Sequence, residues 1–453
     1  MLPADSASVS LSGGHADITR CHFSDLGVPA LRATGAASAT VIDSLAQSLS
    51  DLGFVFETGS VGELQRVAID RATYAALSVD VGARIQATDV AVKDTIPGPS
   101  GFTRGIFVAG DFTATRLSVT NPRMSGLFVT GSAAIARLDR ATFVGGASMR
   151  CHGTSVGLEC SSNLALWPQD GFLLSRTIFV TNGGALSAQR VALTDGEGNA
   201  LFIENGTARL DGLRVQRYRG QIQGAGLHGY AAVAVNGTIP RNGMTPLQVP
   251  SALTLGGSLL ADNEIHALIV YGERAVASVS NSVIRDHHAP NWESALATGY
   301  GAVVDGSGSL SLSGVRLERN ELCAACSLGH GMLIVRRSLL ASTHAGPGSG
   351  GGEGIHAQEG DARVTESVIT SNQRAGIDAF GSHVLVDRSV VRGTEPHPEA
   401  VIATLQDRPA LISRAGVGVF AETNPTKSRL SSKYSAGWVV AVPSTVPEPL
   451  GAS

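Results

Sequence analysis

A short box of four residues recurs along this chain, and its third position is apolar in every copy. Those third positions are Phe23, Ile69, Val92, Val119, Phe143, Leu193, Val215, Leu260, Ile284, Leu317, Leu340, Ile369 and Val391. Apolar or small residues also stand three and five positions before the box, as Leu310 and Leu312 do. Spacing by two is the side-chain period of a β-strand, so the pattern predicts strands with one apolar face.

A third short strand follows each box and often begins with glycine, as in Gly354-Ile-His-Ala and Gly376-Ile-Asp-Ala. The shortest repeat is 21 residues, from Gly110 to Gly131. Repeats of this length with one apolar face per strand are typical of stacked solenoids, because a propeller blade needs about 40 residues. The chain is therefore predicted to be an all-β, right-handed parallel β-helix of about 15 coils, with three short strands per coil.

The longer coils carry their extra residues between the box and the third strand. These insertions lie near residues 145–172, 217–229, 286–300, 320–330 and 342–353. Because stacked coils are in register, we expect the insertions to project from one side, and we expect function there.

One β-helix is predicted over residues 1–421, followed by a C-terminal cap and flexible tail over 422–453, where Ser, Pro and Thr are frequent. The alternation of Val9 and Leu11 shows that the coil pattern is already running near the first residue. A solenoid normally has a cap over its open edge, so we expect the native N-terminal cap to be missing.

Composition narrows the function classes. The net charge is −4, and Lys and Arg do not collect into a block, which argues against a nucleic-acid partner. No long apolar stretch indicates a membrane span, and the start does not read as a signal peptide. We expect a monomer.

Gly329-His330-Gly331 resembles the Gly-His-Gly signature of the polygalacturonases, which are β-helical glycosidases, and makes His330 a catalytic candidate. Inverting hydrolysis needs two carboxylates, and here only Asp305 stands near the expected region. The alternative is that Gly331 leads into a third strand after an insertion, as Gly105 does.

The insertion Asp286-His287-His288-Ala-Pro-Asn-Trp292 combines an acid, two imidazoles and an aromatic ring. Asp286 and His287 are catalytic candidates, while Trp292 and His288 are binding candidates that could hold a sugar. Two further aromatic residues in insertions, Tyr218 and Trp167, would extend such a surface. A solvated turn with an incidental tryptophan is the alternative.

The five cysteines indicate an oxidising compartment. Cys151 and Cys160 bracket an insertion and are predicted to form a disulfide across it. Cys323 and Cys326 are predicted to be a loop disulfide or two free thiols, since a closed zinc site needs four ligands and no second pair stands nearby in the sequence. Cys21 occupies the first position of a box and is predicted to be an inert core residue.

The box, the apolar residues before it and the glycine-led strand resemble the repeats of the pectin-lyase-like superfamily, of an uncharacterised bacterial surface or secreted type, over residues 8–421. The resemblance implies a fold and no single activity. The sequence favours a non-catalytic extracellular or cell-surface protein, structural or adhesin-like, that needs no cofactor and binds polysaccharide or another surface component. The alternative is a polysaccharide lyase or glycoside hydrolase, and only the lyase would use Ca²⁺.

Overall fold

A computed structural model describes residues 7–98, 103–147, 149–154, 157–161, 172–220, 231–237, 250–264, 266–289, 299–346, 351–395, 417–422 and 438–442. The chain divides into two compact units, unit 1 (Met1–Gly256) and unit 2 (Gly257–Ser453). The predicted extent of the solenoid, residues 1–421, stays a prediction.

The predicted right-handed parallel β-helix is confirmed. The described residues form β-strands and no α-helix, and the coils pair in parallel. In each coil the third strand joins one sheet, here called sheet A, while the box and the strand before it join another, called sheet B. Among the described residues, no helix has the length and apolar character that crossing a membrane would require.

In unit 1, sheet A comprises β1 (Val9–Leu11), β4 (Leu31–Ala33), β7 (Phe54–Phe56), β9 (Ala75–Val79), β11 (Arg104–Val108), β13 (Ser125–Thr130), β18 (Arg176–Thr181), β20 (Asn199–Glu204) and β23 (Ala231–Asn236). Sheet B comprises β2 (His15–Thr19), β3 (His22–Ser24), β5 (Ser38–Ile42), β6 (Leu45–Leu49), β8 (Val61–Ala72), β10 (Arg84–Lys93), β12 (Asp111–Thr120), β14 (Ile135–Val144), β19 (Ala185–Thr194), β21 (Thr207–Asp211), β22 (Arg214–Gln216) and β24 (Ser251–Gly256). A small antiparallel sheet is formed by β15 (Met149–Thr154), β16 (Gly157–Ser161) and β17 (Phe172–Leu174).

In unit 2, sheet A comprises β26 (His266–Tyr271), β29 (Ala302–Asp305), β32 (Cys323–Leu328), β35 (Glu353–Gln358), β38 (Ala375–Phe380) and β41 (Val417–Glu422). Sheet B comprises β25 (Leu259–Ala261), β27 (Ala275–Ser280), β28 (Val283–Arg285), β30 (Ser309–Ser313), β31 (Arg316–Glu318), β33 (Met332–Arg336), β34 (Leu339–Ala341), β36 (Asp361–Thr365), β37 (Val368–Thr370), β39 (His383–Asp387), β40 (Val390–Arg392) and β42 (Trp438–Val442).

The apolar side chains of the box stack from coil to coil in the core. Val92 of β10 pairs in register with Ile69 on one side and Val119 on the other. All three side chains are almost completely buried. Because each coil adds a similar row, the core is continuous along the stacked coils of each unit, and burial of apolar area stabilises it coil by coil.

A single residue with positive φ joins the strand before the box to the box itself, and we call it the first-corner residue. In unit 1 such residues include Asp43, Arg66, Asp89 and Arg116, with φ of 51°, 54°, 56° and 57°. A second-corner residue, also with positive φ, follows the box, as Asp286 does with φ of 60°. Each corner turns the strand with one residue, at a cost of about 1–2 kcal/mol for a residue other than glycine.

Buried polar side chains connect successive coils of unit 2. The hydroxyl of Ser338, at the first position of a box, accepts the N–H of Val315 at 3.1 Å and donates to the carbonyl of Arg336 at 2.7 Å. The Ser367 hydroxyl accepts the N–H of Ser338 in the same way, at 3.2 Å. These hydroxyls satisfy backbone groups that would otherwise be buried without partners.

Three sequence expectations about individual segments and residues are wrong. Residues 320–330 are not an insertion, because β32 (Cys323–Leu328) is itself a third strand with Ala324 where other coils have glycine. Gly331 consequently leads into β33, the strand before the next box, and not into a third strand. Cys21 is exposed and not part of the core; β3, which follows it, pairs with β6 on one side, and no described strand pairs with its other side.

Candidate functional site

A shallow groove follows the first corners of sheet B in each unit, and we call these the corner grooves. In unit 1 the groove encloses about 610 Å³ and is lined by Arg20, Cys21, His22, Asp43, Ser44, Leu45, Arg66, Val67, Ala68, Asp89 and Ala91. In unit 2 it encloses about 540 Å³ and is lined by Gly314, Val315, Arg316, Arg337, Ser338, Leu339, Glu366 and Val368. The same part of the coil therefore forms an open groove in both units.

The carboxylates of the unit 1 groove are paired with arginines one coil away. The Arg66 guanidinium donates to both oxygens of Asp43, at 2.5 Å and 3.0 Å. Arg116 binds both oxygens of Asp89 in the same manner. These hydrogen bonds hold the pKa of Asp43 and the pKa of Asp89 below the usual range of an aspartate. Both groups are therefore ionised at neutral pH.

A second polar site lies on sheet A of unit 2, and we call it the carboxylate–histidine cluster: Glu353, His356, Arg374 and Asp378. His356 of β35 and Asp378 of β38 are register partners on adjacent strands. The Nδ1 atom of His356 lies 3.0 Å from Oδ2 of Asp378. Arg374 contacts Oε1 of Glu353, and its Nη2 atom lies 3.8 Å from Oδ2 of Asp378.

Burial changes the proton affinity of this cluster. Glu353 is 3% exposed, and burial raises the pKa of its carboxyl despite the opposing charges of Arg374 and His356. Burial alone would lower the pKa of His356, but the hydrogen bond with Asp378 and the charges of Glu353 and Asp378 outweigh it and raise that pKa. The cluster can therefore hold a proton between a carboxyl group and an imidazole, as acid–base and cation sites do.

Two buried cysteines of β32 lie beside the cluster on sheet A. Cys323 pairs in register with Glu353 and Cys326 with His356.

The ring of Tyr300 stacks on His266 with centroids 4.8 Å apart. Burial, assisted by the charge of His287, lowers the pKa of His266 to about 3, so its imidazole is neutral at neutral pH.

The structure gives the candidates of the 286–292 segment separate roles. Asp286 is a second-corner residue whose carboxylate is held by Arg319, at 2.7 Å and 3.0 Å, and by Arg285 at 2.6 Å. Burial would raise the pKa of Asp286, but the hydrogen bonds and charge of Arg319 outweigh burial and keep that pKa low. Asp286 is therefore held as an ionised partner of arginines between neighbouring coils.

The two histidines of that segment differ in exposure. His287 is 0% exposed, with Nε2 3.1 Å from the carbonyl oxygen of Leu260, so the expectation of a loop residue open to substrate is wrong for His287. The side chain of His288 is 41% exposed and lies 3.9 Å from Asp262. Trp292 and Trp167, the predicted binding aromatics, lie outside the described residues.

The remaining candidates do not converge on one place. Tyr218 is 0% exposed, so the expectation of an exposed aromatic residue is wrong there, because its ring packs against Gly196 and its hydroxyl bonds to Thr177. His330 is an exposed turn residue with φ of 71°, and its N–H donates to the carbonyl of Glu359 at 2.6 Å. The nearby Asp305 accepts a hydrogen bond from the N–H of Gly306.

The structure tests one of the two predicted cysteine pairs. Cys323 and Cys326 are bonded to each other. They lie buried on β32 and not in a loop. Cys151 and Cys160 are opposite each other in the antiparallel pair β15–β16. Their disulfide stays a prediction.

Sequence reasoning did not identify the carboxylate–histidine cluster, although one signal was available. His356 and Asp378 occupy the same position in Gly354-Ile-His-Ala and Gly376-Ile-Asp-Ala, one coil apart. A comparison of outward positions between neighbouring coils would have placed these two side chains together.

Comparisons with known proteins yield structures and no family. No family model and no curated protein matches the chain. Tailspike protein 3 of bacteriophage CBA120 is similar over 95% of this chain, with 9% identity and a TM-score of 0.35, and the chain spans 52% of that protein's length. A mutant tailspike protein of E. coli bacteriophage HK620, solved with a pentasaccharide, is similar over 95% of this chain and 74% of its own, with 11% identity and a TM-score of 0.45. The function of this chain therefore has to be inferred from its own residues.

Proposed function

We propose that the protein is a non-catalytic extracellular or cell-surface protein that binds an extended, uncharged glycan along its corner grooves. The observation that carries the proposal is the pairing of charges inside the groove of unit 1. Because Arg66 is bound to Asp43 and Arg116 to Asp89, each pair is nearly neutral as a whole. Such pairs offer donors and acceptors for hydroxyl groups without attracting a free ion.

The spacing of the groove suits a polymer. Successive coils are separated by the strand spacing of about 4.8 Å, which is close to the length of one sugar ring in an extended chain. Ala68 and Ala91 line the groove between the charged corners, and their small side chains leave space for a ring. Because the first corners alternate between arginine and aspartate, a glycan lying along the coils would meet the same set of charged groups once in every two sugars.

The paired carboxylates also argue against hydrolysis in this groove. Glycoside hydrolysis requires one carboxyl group that is protonated at working pH and can act as general acid. Asp43 and Asp89 have the opposite character, because their arginine partners lower the pKa of each carboxyl. A binding groove is consistent with this arrangement. The competing function is a polysaccharide lyase or glycoside hydrolase.

The test measures binding and turnover of the same glycans. The full-length protein is screened on an array of neutral and acidic polysaccharides, and hits are measured by titration calorimetry while reducing ends and unsaturated products are followed. We expect saturable binding of a neutral glycan without product. Ala91→Trp, which fills the groove, should weaken that binding at least about tenfold.

The matched control is Gln86→Trp, an exposed change on the same strand β10 that does not line the groove. It should bind as the wild type does. Equal binding by both tryptophan variants would overturn the assignment of the groove. Product formation by the wild type would overturn the non-catalytic function and favour the enzyme.

A further inference from the structure

We propose that Glu353, His356 and Asp378 bind a divalent transition-metal cation such as Zn²⁺ or Mn²⁺. Each residue offers one ligand atom, and these atoms lie within 4.8 Å of one another. The set mixes one imidazole nitrogen with two carboxylates, which is a common donor combination for first-row metals. The inference does not depend on glycan binding.

The distance between His356 and Asp378 fits two ligands of one ion. Metal–nitrogen and metal–oxygen bonds are about 2.0–2.2 Å long, so two ligands of one ion are about 3.0 Å apart at the right angle of an octahedral site and about 3.4 Å apart at the tetrahedral angle. The Nδ1 atom of His356 and Oδ2 of Asp378 are separated by 3.0 Å. Since backbone pairing of β35 and β38 fixes the two residues, an ion could replace the proton between them without moving either strand.

The charge of the cluster also favours a cation. With His356 neutral and both carboxylates ionised, Arg374 balances only one of the two negative charges. A divalent cation bound by the neutral imidazole and the two carboxylates would offset the remaining negative charge.

The imidazole of His356 determines which ions suit the cluster, and the exposure of its side chains determines how an ion could enter. Ca²⁺ and Mg²⁺ prefer oxygen ligands alone, so the imidazole favours a transition metal. The side chains of Glu353 and Asp378 are 4% and 5% exposed, whereas those of His356 and Arg374 are 22% and 31% exposed. The cluster is therefore closed on the carboxylate side and open at His356, where water could complete the coordination.

The test uses the full-length protein after treatment with a chelator. Titration calorimetry with Zn²⁺, Mn²⁺ and Ca²⁺ should show one transition-metal ion per chain and much weaker binding of Ca²⁺. His356→Ala and Asp378→Asn should each weaken Zn²⁺ binding at least about a hundredfold. Glu353→Gln keeps the side-chain shape and serves as a third variant should either of the others fail to fold.

The matched control is His383→Gln, which changes another His–Asp pair of unit 2, with His383 Nδ1 3.5 Å from Asp361. It should leave Zn²⁺ binding unchanged. Absence of stoichiometric binding would overturn the proposal. So would binding that survives the His356 and Asp378 changes, or equal binding of Ca²⁺ and Zn²⁺.

Discussion

The phenolic oxygen of Tyr218 lies 2.8 Å from Oγ1 of Thr177, and both side chains are buried in unit 1. Burial raises the pKa of the Tyr218 hydroxyl, which therefore stays protonated. The ring lies over Gly196, where an added Cβ would come within 2.5 Å of a ring carbon. Tyr218 is thus a packing residue that joins two distant parts of the chain.

Removing the Tyr218 hydroxyl should cost stability and not binding. Tyr218→Phe leaves the Thr177 hydroxyl without this partner and should lower the free energy of unfolding by about 1 kcal/mol. Tyr218→Ala should cost about 3–5 kcal/mol, because a large cavity replaces the ring. Urea unfolding followed by circular dichroism measures both. A Tyr218→Phe protein with wild-type stability that loses glycan binding would restore Tyr218 as a binding residue.

His266 should make the protein sensitive to acid. Its pKa is about 3 in the folded protein and about 6.5 in an unfolded chain. The unfolded state therefore binds more protons between these values, so stability is complete above about pH 6.5 and falls as the pH is lowered toward 3. His266→Phe preserves a ring beside Tyr300 and should reduce the loss of melting temperature between pH 7 and pH 4. His383→Gln changes a more exposed histidine and should leave that loss of melting temperature as it is in the wild type.

The buried amide of Asn372 should stabilise the contact between its coil and the preceding coil. Its Oδ1 accepts the N–H of Thr343 at 3.0 Å, and its Nδ2 donates to the carbonyl of Leu340 at 3.4 Å. Asn372→Leu leaves both backbone groups without this partner and should cost about 1–3 kcal/mol. Chemical denaturation checks this, with the exposed Gln86→Leu as the control that should change stability little. Equal effects would show that the amide is not required.

Arg66, in the corner groove of unit 1, should set the pKa of Asp43. Because the pKa of Asp43 is lowered by its hydrogen bond with Arg66, the stability it contributes is present above the unfolded pKa and is lost as the pH falls through the folded pKa. Arg66→Gln should return the pKa of Asp43 toward its ordinary value. Carboxyl NMR titration measures this, and Asp195, which pairs with Arg217, should be unaffected. A low Asp43 pKa in the variant would contradict the pairing.

The core residues could be predicted from sequence because the alternation of apolar positions can be recognised within each strand alone. Leu310 and Leu312 were placed before a box by their spacing alone, and both are 0% exposed on β30. Each apolar residue needs only its own strand period to be recognised, and stacking repeats that period many times. The fold class followed from this repetition.

The partners of polar residues could not be predicted in the same way. Asp286 was singled out for its neighbours in sequence, yet its carboxylate is held by Arg319, one coil and 33 residues away. Coil lengths vary with the insertions, so the residue that stacks on a given position has no fixed sequence separation. Ala324 stands where several other third strands have glycine. Without that glycine, the sequence pattern did not indicate a strand at β32, and the segment was predicted to be an insertion.

The alternating first corners of unit 1 have a consequence for how this repeat can gain or lose coils. Arg20, Asp43, Arg66, Asp89 and Arg116 alternate in charge from coil to coil. Deleting one coil within this stretch would again place an apolar box residue on an apolar box residue but bring two like charges together, whereas deleting two coils would restore the alternation. Duplication and loss of coils here are therefore expected to conserve the electrostatic pattern only in pairs, so that the surface, and not the core, limits how the length of this segment can evolve.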